Sequence, residues 1–329
     1  MVFQGKDPTH EKSVFKNSLQ DISESEVMKH LFISLLNFNG KKNTLECLES
    51  LKAVTNINFK LTVIIVNNSP SDSFVEENKN LKLKIIENEK NLGFSGGHNV
   101  GIEYGLNHGA DYILILNNDT FVDKNFIQEL LKACENDEQI GITVPKIYFA
   151  PGFEFHKNRY TEKDRGRIIW YAGGKVDWDN VIGKNRGVDL VDNGQFENIE
   201  ETEIATGCAM MIKKEVFEKV GFFDEKYFLY YEDSDLSLQA KKKGFKIVYV
   251  PKALIWHKNA GSVGGPGSTL QDYYITRNRL LFGMRYASFR SKFALIRESL
   301  FLLFNGRKWQ KRGIWDFYVG KFGKGSFSI

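Results

Sequence analysis

Three short segments carry residue types able to do chemistry. Asn117-Asn118-Asp119 ends the apolar run at residues 112–116, Glu232, Asp233 and Asp235 follow an aromatic block, and His257 follows Ile255 and Trp256. A run of about five apolar residues is what a strand buried on both faces of a parallel sheet looks like. Polar groups at the carboxyl end of such a strand face the crevice where open α/β sheets bind ligands. A lone aspartate flanked by amides there suits one divalent cation that shares its other positions with water and phosphate oxygens. The same triplet suits a plain turn capping a helix that starts near Lys124.

Acids in a first helical turn commonly complement the helix dipole, the reading that fits Asp235. Aromatics beside a carboxylate can also form a platform for a sugar or base, and a helix start would keep an aspartate ionised as a general base. A lone histidine near a strand end is more often structural than a ligand, yet a neutral imidazole would complement one aspartate at a metal. After His257 comes the glycine-rich stretch 261–267, of the kind that closes over substrates. Arg277 and Arg279 then supply two guanidinium groups able to clamp phosphate or carboxylate. Gly93, Gly96, Gly97 and Gly101 permit close backbone approach, and the helix start beside them offers N–H groups to an anion. Their spacing does not meet the dinucleotide fingerprint.

These groups need elements to position them. Strands are expected over residues 30–36, 61–66, 81–87 and 112–116, alternating with helices over 44–55, 97–107 and 125–135. That alternation implies a doubly wound parallel sheet. Residues 149–203 break the rhythm and read as a long irregular insertion, usually functional or mobile. Regularity resumes at 203–212, with helices over 214–220 and 234–243 and a strand over 246–250.

At 329 residues, 42% hydrophobic and 26% charged, the chain is an ordinary globular protein. Cys47, Cys134 and Cys208 form no CxxC or His/Cys cluster, so neither a disulfide framework nor a zinc site is supported, and a cytosolic setting fits best. No transmembrane run or signal-peptide core is present. Residues 1–27, with the tag-like Val2-Phe3-Gln4-Gly5, are expected to be disordered or tag-derived. Net charge is +4, but residues 285–329 carry ten basic and two acidic residues, leaving the remainder at −4. A basic tail on a mildly acidic body points to an anionic surface or to phosphate. No nucleic-acid partner is expected.

In this order and spacing the segments resemble family 2 glycosyltransferases, particularly the rhamnosyltransferase-like branch of bacterial surface-polysaccharide synthesis. The carrying residues are Asn91, Gly93, Phe94, Gly96, Gly97, Asn99 and Gly101, the run Leu116 to Thr120, and Gly221, Phe223 and Asp224. Tyr230 to Asp235, Pro251 with Trp256-His257, and Thr276-Arg277-Asn278 complete the set, which spans residues 28–325.

The resemblance implies a GT-A fold: an α/β, doubly wound, mostly parallel sheet with an irregular acceptor-side insertion and a C-terminal helical, basic tail. The division implied is a segment 1–27, a catalytic domain 28–284 and an amphipathic segment 285–329. It implies an inverting transferase moving a sugar from a nucleotide donor to a glycan or lipid-linked oligosaccharide. L-rhamnose from dTDP-L-rhamnose comes first and a UDP-hexose second. Asp119 and His257 would hold Mg²⁺ or Mn²⁺, and Asp233 would be the base. Asn37, Phe38, Asn39, Asn67, Asn91, Gly93, Phe94, Gly97, Asn117 and Asn118 would hold the nucleotide sugar. Glu232, Trp170, Arg277 and Asn278 would contact acceptor or phosphate. Asn67 stands where the family often has aspartate, and its amide could accept from a pyrimidine N3–H. His98 stands where arginine is frequent, which weakens any diphosphate contact there.

Residues 293–315 mix apolar, aromatic and basic side chains, the composition of an interfacial segment at the inner membrane face. The same composition suits a helix packed on the catalytic domain or in a homodimer. Two other functions compete. A sugar-phosphate nucleotidyltransferase should show a glycine-rich, arginine-containing loop after the first strand, where this chain has Asn37 to Lys42. A non-catalytic sugar-binding or scaffold protein should not need Asp119, Asp233 and His257 together.

Overall fold

The computed structural model describes residues 28–55, 58–75, 80–259 and 268–328. The segment 1–27 and the glycine-rich stretch 261–267 therefore lie outside the described residues.

The chain begins with β1 (Lys29–Asn37), α1 (Lys41–Leu51), β2 (Phe59–Asn67), β3 (Leu83–Glu87), α2 (Gly93–Asn107) and β4 (Tyr112–Asn117). β1, β2 and β4 are apolar along most of their length and their centres are buried, so they lie side by side in parallel with β3 outermost. This is the expected doubly wound half. α2 packs on β1 and β2 through glycines four apart. A Cβ at Gly97 would sit 2.4 Å from Leu36 Cδ1, and one at Gly101 2.4 Å from Ser34 Oγ. Glycine is required there so that the helix can lie close on the sheet.

Next come β5 (Thr120–Val122), α3 (Phe126–Glu135) and β6 (Ile140–Phe149). β6 is wholly buried where no strand was expected, and Pro145 and Lys146 interrupt its apolar pattern. Tertiary partners resolve both: Pro145 pairs where β12 (Lys246–His257) has an irregularity, and buried Lys146 is neutralised by Asp192 at 2.8 Å and by Glu197. β12 likewise runs past the expected end at Val250, since the same irregularity absorbs Pro251.

Asp192 and Glu197 belong to the insertion, which is less irregular than expected. It holds β7 (Ile169–Tyr171), β8 (Gly174–Asp177), β9 (Ile182–Asn185) and β10 (Glu200–Glu201). β7 and β10 join the main sheet, while β8 and β9 form their own hairpin. β11 (Ala209–Lys213) then lies antiparallel between β4 and β6. The order β10-β12-β6-β11-β4-β1-β2-β3 is thus mostly parallel with an antiparallel member at its centre.

α4 (Lys214–Val220) and α5 (Glu232–Lys242) precede β12, and α6 (Thr269–Tyr286), α7 (Phe289–Asn305) and α8 (Lys308–Tyr318) close the chain. Ser268 and Ser288 cap α6 and α7 by accepting from the Gln271 and Ser291 N–H groups. The boundary expected at residue 284 falls inside α6, and α8 packs back along that helix. Among the described residues, no helix is long and apolar enough to cross a membrane.

Candidate active site

Asn118 and Asp119 form the turn from β4 into β5, not a cap on α3. β5 folds back onto the end of β12, pairing Thr120 with His257. That register brings His257 Nε2 to 3.1 Å from Asp119 Oδ1, although the two lie far apart in sequence. The Lys258 N–H donates to the Asp119 carbonyl at 2.9 Å. Trp170 of β7 meets the imidazole edge-to-face, with ring centroids 4.8 Å apart. Among the described residues buried His257 Nδ1 has no hydrogen-bond partner, and the Cys208 sulfur lies beside the ring. Burial opposes charge on this imidazole, but Cys208 and Asp119 outweigh it and raise its pKa well above the ordinary histidine range, so a metal bound there would have to displace the ring proton.

A carboxylate and an imidazole converging at 3.1 Å suit Mg²⁺ or Mn²⁺. Among the described residues no group of three or more His, Cys, Asp or Glu side chains could hold a metal. An ion held by this pair would leave its remaining positions to phosphate and water.

Asp233 lies in the first turn of α5. Its Oδ2 accepts from the Gly207 N–H at 2.9 Å and its Oδ1 from the Ser234 N–H at 2.6 Å. The next residue, Cys208, accepts from the Asn117 N–H at 2.8 Å. Gly207 and Cys208 thus join the carboxylate of α5 to the end of β4. Burial raises the Asp233 pKa despite the opposing pull of the Gly207 and Ser234 N–H groups. The expectation that the helix start dominates is corrected: desolvation wins, which makes Asp233 a stronger base when ionised. Glu232 is buried, its Oε2 has no partner among the described residues, and burial with the neighbouring Asp233 lifts its pKa well above the glutamate range. Asp235 accepts from Tyr227, Tyr286, Gln239 and Arg285, a structural role wider than a dipole complement.

Arg277 and Asn278 take a different place from the expected one. Arg277 is fully buried and donates to the carbonyls of Gly323, Lys226 and Tyr227 and to Asn278 Oδ1. Asn278 Nδ2 donates to the carbonyls of Tyr227, Leu229 and Tyr230. Their donors are committed to protein, so a phosphate or acceptor contact is corrected to a positioning role. What they hold is strained: Phe228, Tyr230 and Tyr231 have φ of 63°, 70° and 75° immediately before Glu232-Asp233.

The start of α2 is also occupied. The Phe94 and Ser95 N–H groups donate to the Phe228 carbonyl, and the Gly93 N–H to Asn91 Oδ1. The expected anion cradle at Gly93, Phe94 and Gly97 is therefore corrected to packing and loop support. His98 points into the sheet, its Nδ1 2.9 Å from Ser34 Oγ, and burial lowers its pKa to about 3.

Asn37 and Asn67 end adjacent strands, joined by a 2.8 Å hydrogen bond. Asn67 Oδ1 also accepts from the Ser69 N–H, and its Nδ2 donates to Glu87 and to the Asp72 carbonyl. A fully buried amide so engaged cannot read a base, and that expectation is corrected. Asn37 Nδ2 holds one Asp72 carboxylate oxygen at 2.8 Å. Asn39 accepts from Ser69, Asn118 donates to Thr44, and Phe38 is exposed at the rim.

Comparison with known proteins fits this geometry. Residues 33–221 match the family described as Glycosyl transferase family 2, and residues 182–283 match Glycosyltransferase like family 2. The chain belongs to glycosyl transferase family 2. It is 24% identical over 259 residues, 78% of this chain and 76% of the other, to the low-salt glycan biosynthesis hexosyltransferase Agl10 of Haloferax volcanii. It is 25% identical over 232 residues, 67% and 69% of the two chains, to the dTDP-rhamnosyl transferase RfbF of Shigella flexneri. Among solved structures, GalNAc-T7 with UDP, GalNAc and Mn²⁺ superposes with a TM-score of 0.55 at 17% identity, covering 89% of this chain and 58% of that one. S. aureus TarS 1–349 superposes with 0.51 at 15% identity, covering 89% and 79%. The fold is of the GT-A kind, and this family 2 protein is a glycosyltransferase.

Sequence reasoning missed Asp72, Gly207, Cys208 and Lys258. Asp72 had a signal, a carboxylate five residues beyond a strand end. Gly207 and Cys208 had none, because their role follows from the antiparallel placement of β11. Lys258 ties β12 to α1 through Asn43 at 2.9 Å and through Glu46.

Proposed function

We propose that this family 2 enzyme is an inverting glycosyltransferase that carries a sugar from a pyrimidine nucleotide donor to a hydroxyl of a glycan or lipid-linked acceptor. The observation carrying this reading is the joining of Asp233 to the Asp119–His257 pair through Gly207 and Cys208. dTDP-L-rhamnose is the first donor, supported by the likeness to RfbF. A UDP-hexose is the second, supported by the likeness to a hexosyltransferase.

Asp233 takes the proton from the acceptor hydroxyl as its oxygen attacks the anomeric carbon. The bond from that carbon to the phosphate oxygen breaks, and the nucleoside diphosphate leaves with the electron pair. Asp119 and His257 would hold Mg²⁺ or Mn²⁺, which when bound would neutralise charge on the diphosphate. Trp170, packed on His257, would shield that side from water. Recognition of the donor's pyrimidine ring is assigned to the Asp72 carboxylate in place of the saturated Asn67. Neighbouring strands lie about 4.8 Å apart, so the end of β2, from which Asp72 follows, is two strands, or about 10 Å, from the end of β4. That is the reach of a nucleoside from its diphosphate.

The test is a panel of dTDP-, UDP-, GDP- and ADP-sugars with Mn²⁺, read by calorimetry, followed by NMR of the product's anomeric configuration. Tight binding of the pyrimidine donors and an inverted product are expected. Preference for purine donors, or a retained configuration, would sink the reading. A lipid-linked acceptor would bring the enzyme to the inner face of the cytoplasmic membrane.

A further inference from the structure

We infer that the outward face of α7 is a docking surface for an anionic lipid bilayer. The inference deepens the lipid-linked-acceptor reading and rests on it for its purpose. α7 buries Ser291, Leu295 and Ser299, one residue per turn. On the other side Phe289 is 88% exposed, Phe293 65%, Leu300 50% and Phe304 79%. At about 100° per residue these four fall within a stripe about 60° wide. Phe301, 63% exposed, lies beyond the stripe's edge, with Arg290 and Arg297 between. So many large apolar side chains in water on one helix mark an interaction surface.

Charge selects the partner. Arg290, Lys292 and Arg297 make no ion pair among the described residues, whereas α7's one acid, Glu298, is held by Arg279 at 2.8 Å. The basic residues at 307–312, part of the mixed segment 293–315, are partly spent internally. Arg307 pairs with Asp272, Arg312 lies 3.6 Å from buried Asp316, and Lys311 donates to the Phe304 carbonyl. Arg290, Lys292 and Arg297, unpaired among the described residues, therefore flank the phenylalanine stripe, the arrangement of a helix lying in an anionic interface. Arg285 and Tyr286, at the end of α6, bind Asp235 at 3.0 and 2.8 Å, and α7 starts three residues later. The helix carrying Asp233 is thereby fastened next to the lipid-facing one.

The test is co-sedimentation of the full chain with vesicles of phosphatidylcholine alone or mixed with phosphatidylglycerol. Binding to the mixed vesicles, weakening with salt, is expected. Phe293→Ser with Phe304→Ser, and separately Arg290→Glu with Arg297→Glu, should each weaken it about tenfold or more. Melting temperature and nucleoside diphosphate release should not change, because these side chains touch neither core nor site. Equal sedimentation of wild type and both variants would overturn the inference. So would a wild-type dimer that the phenylalanine variant turns monomeric without vesicle binding, which would assign the face to a second copy. If vesicle binding behaves as expected but no donor is turned over, the transferase reading fails and the lipid surface stands.

Discussion

Asp233 and Glu232 are neighbours in sequence whose surroundings give them opposite duties. Asp233 keeps backbone donors from Gly207 and Ser234, so it can ionise and serve as a base even though burial raises its pKa. Asp233→Asn should lower transfer by about 10²–10⁴-fold with donor affinity nearly unchanged. In the wild type, turnover should fall as pH drops through the raised Asp233 pKa. Near wild-type turnover in this variant would put the base elsewhere. Glu232 has an orphaned oxygen and a pKa far above the glutamate range, so the fold retains a proton that the unfolded chain releases. Its contribution to stability is full below the ordinary glutamate pKa and is lost as pH rises towards the folded value. Glu232→Gln should therefore melt higher than wild type near pH 8, by a margin that shrinks near pH 5. A pH-independent difference in melting would contradict a buried neutral carboxyl. At the other end of the crevice, Asp119→Ala should abolish Mn²⁺-dependent donor binding in calorimetry while circular dichroism stays native. Undiminished Mn²⁺-dependent binding would remove Asp119 from the metal.

The segment from Lys226 to Tyr231 is the least comfortable piece of backbone near the site. Three aromatic residues with positive φ do not hold that shape by themselves. α2 holds it through Phe94 and Ser95, α5 through Asp235, and α6 through Arg277 and Asn278. Asn278→Ala takes the donor from the Leu229 and Tyr230 carbonyls, while that of Tyr227 keeps Arg277. At about 1–3 kcal/mol for each unsatisfied buried group, a loss of at least about 2 kcal/mol is expected in denaturant titration. The variant's turnover should fall more than its donor affinity, because the segment leads into Asp233 and not into Asp119. An equal fall in both would mean that the whole crevice depends on it.

The C-terminal helices belong to the catalytic body. Arg277 reaches the carbonyl of Gly323, Tyr274 reaches that of Lys324, and buried Asp316 accepts from Tyr273 and from the Ser326 N–H. A chain cut after residue 284 would also lose Arg285 and Tyr286 from Asp235. Such a truncation should aggregate or lack native circular dichroism, where an appended tail would leave a folded domain. Recovery of a folded, active 28–284 fragment would overturn this view.

The apolar runs at β1, β2 and β4 were legible as buried parallel strands because a strand covered on both faces needs little else from its sequence. The polar residues ending those runs were legible for the same reason, as were the helix following Tyr231 and the basic C-terminal stretch. Other features were decided by distant partners. β6 is a strand because Asp192 and Glu197 neutralise Lys146, and β5 exists because β12 offers it an edge. Asn67, Arg277 and the start of α2 carry residue types that bind nucleotides, yet their hydrogen bonds are spent within the protein. Sequence sets which groups can donate, accept or ionise. Only the packed fold decides which of them still have a partner to find.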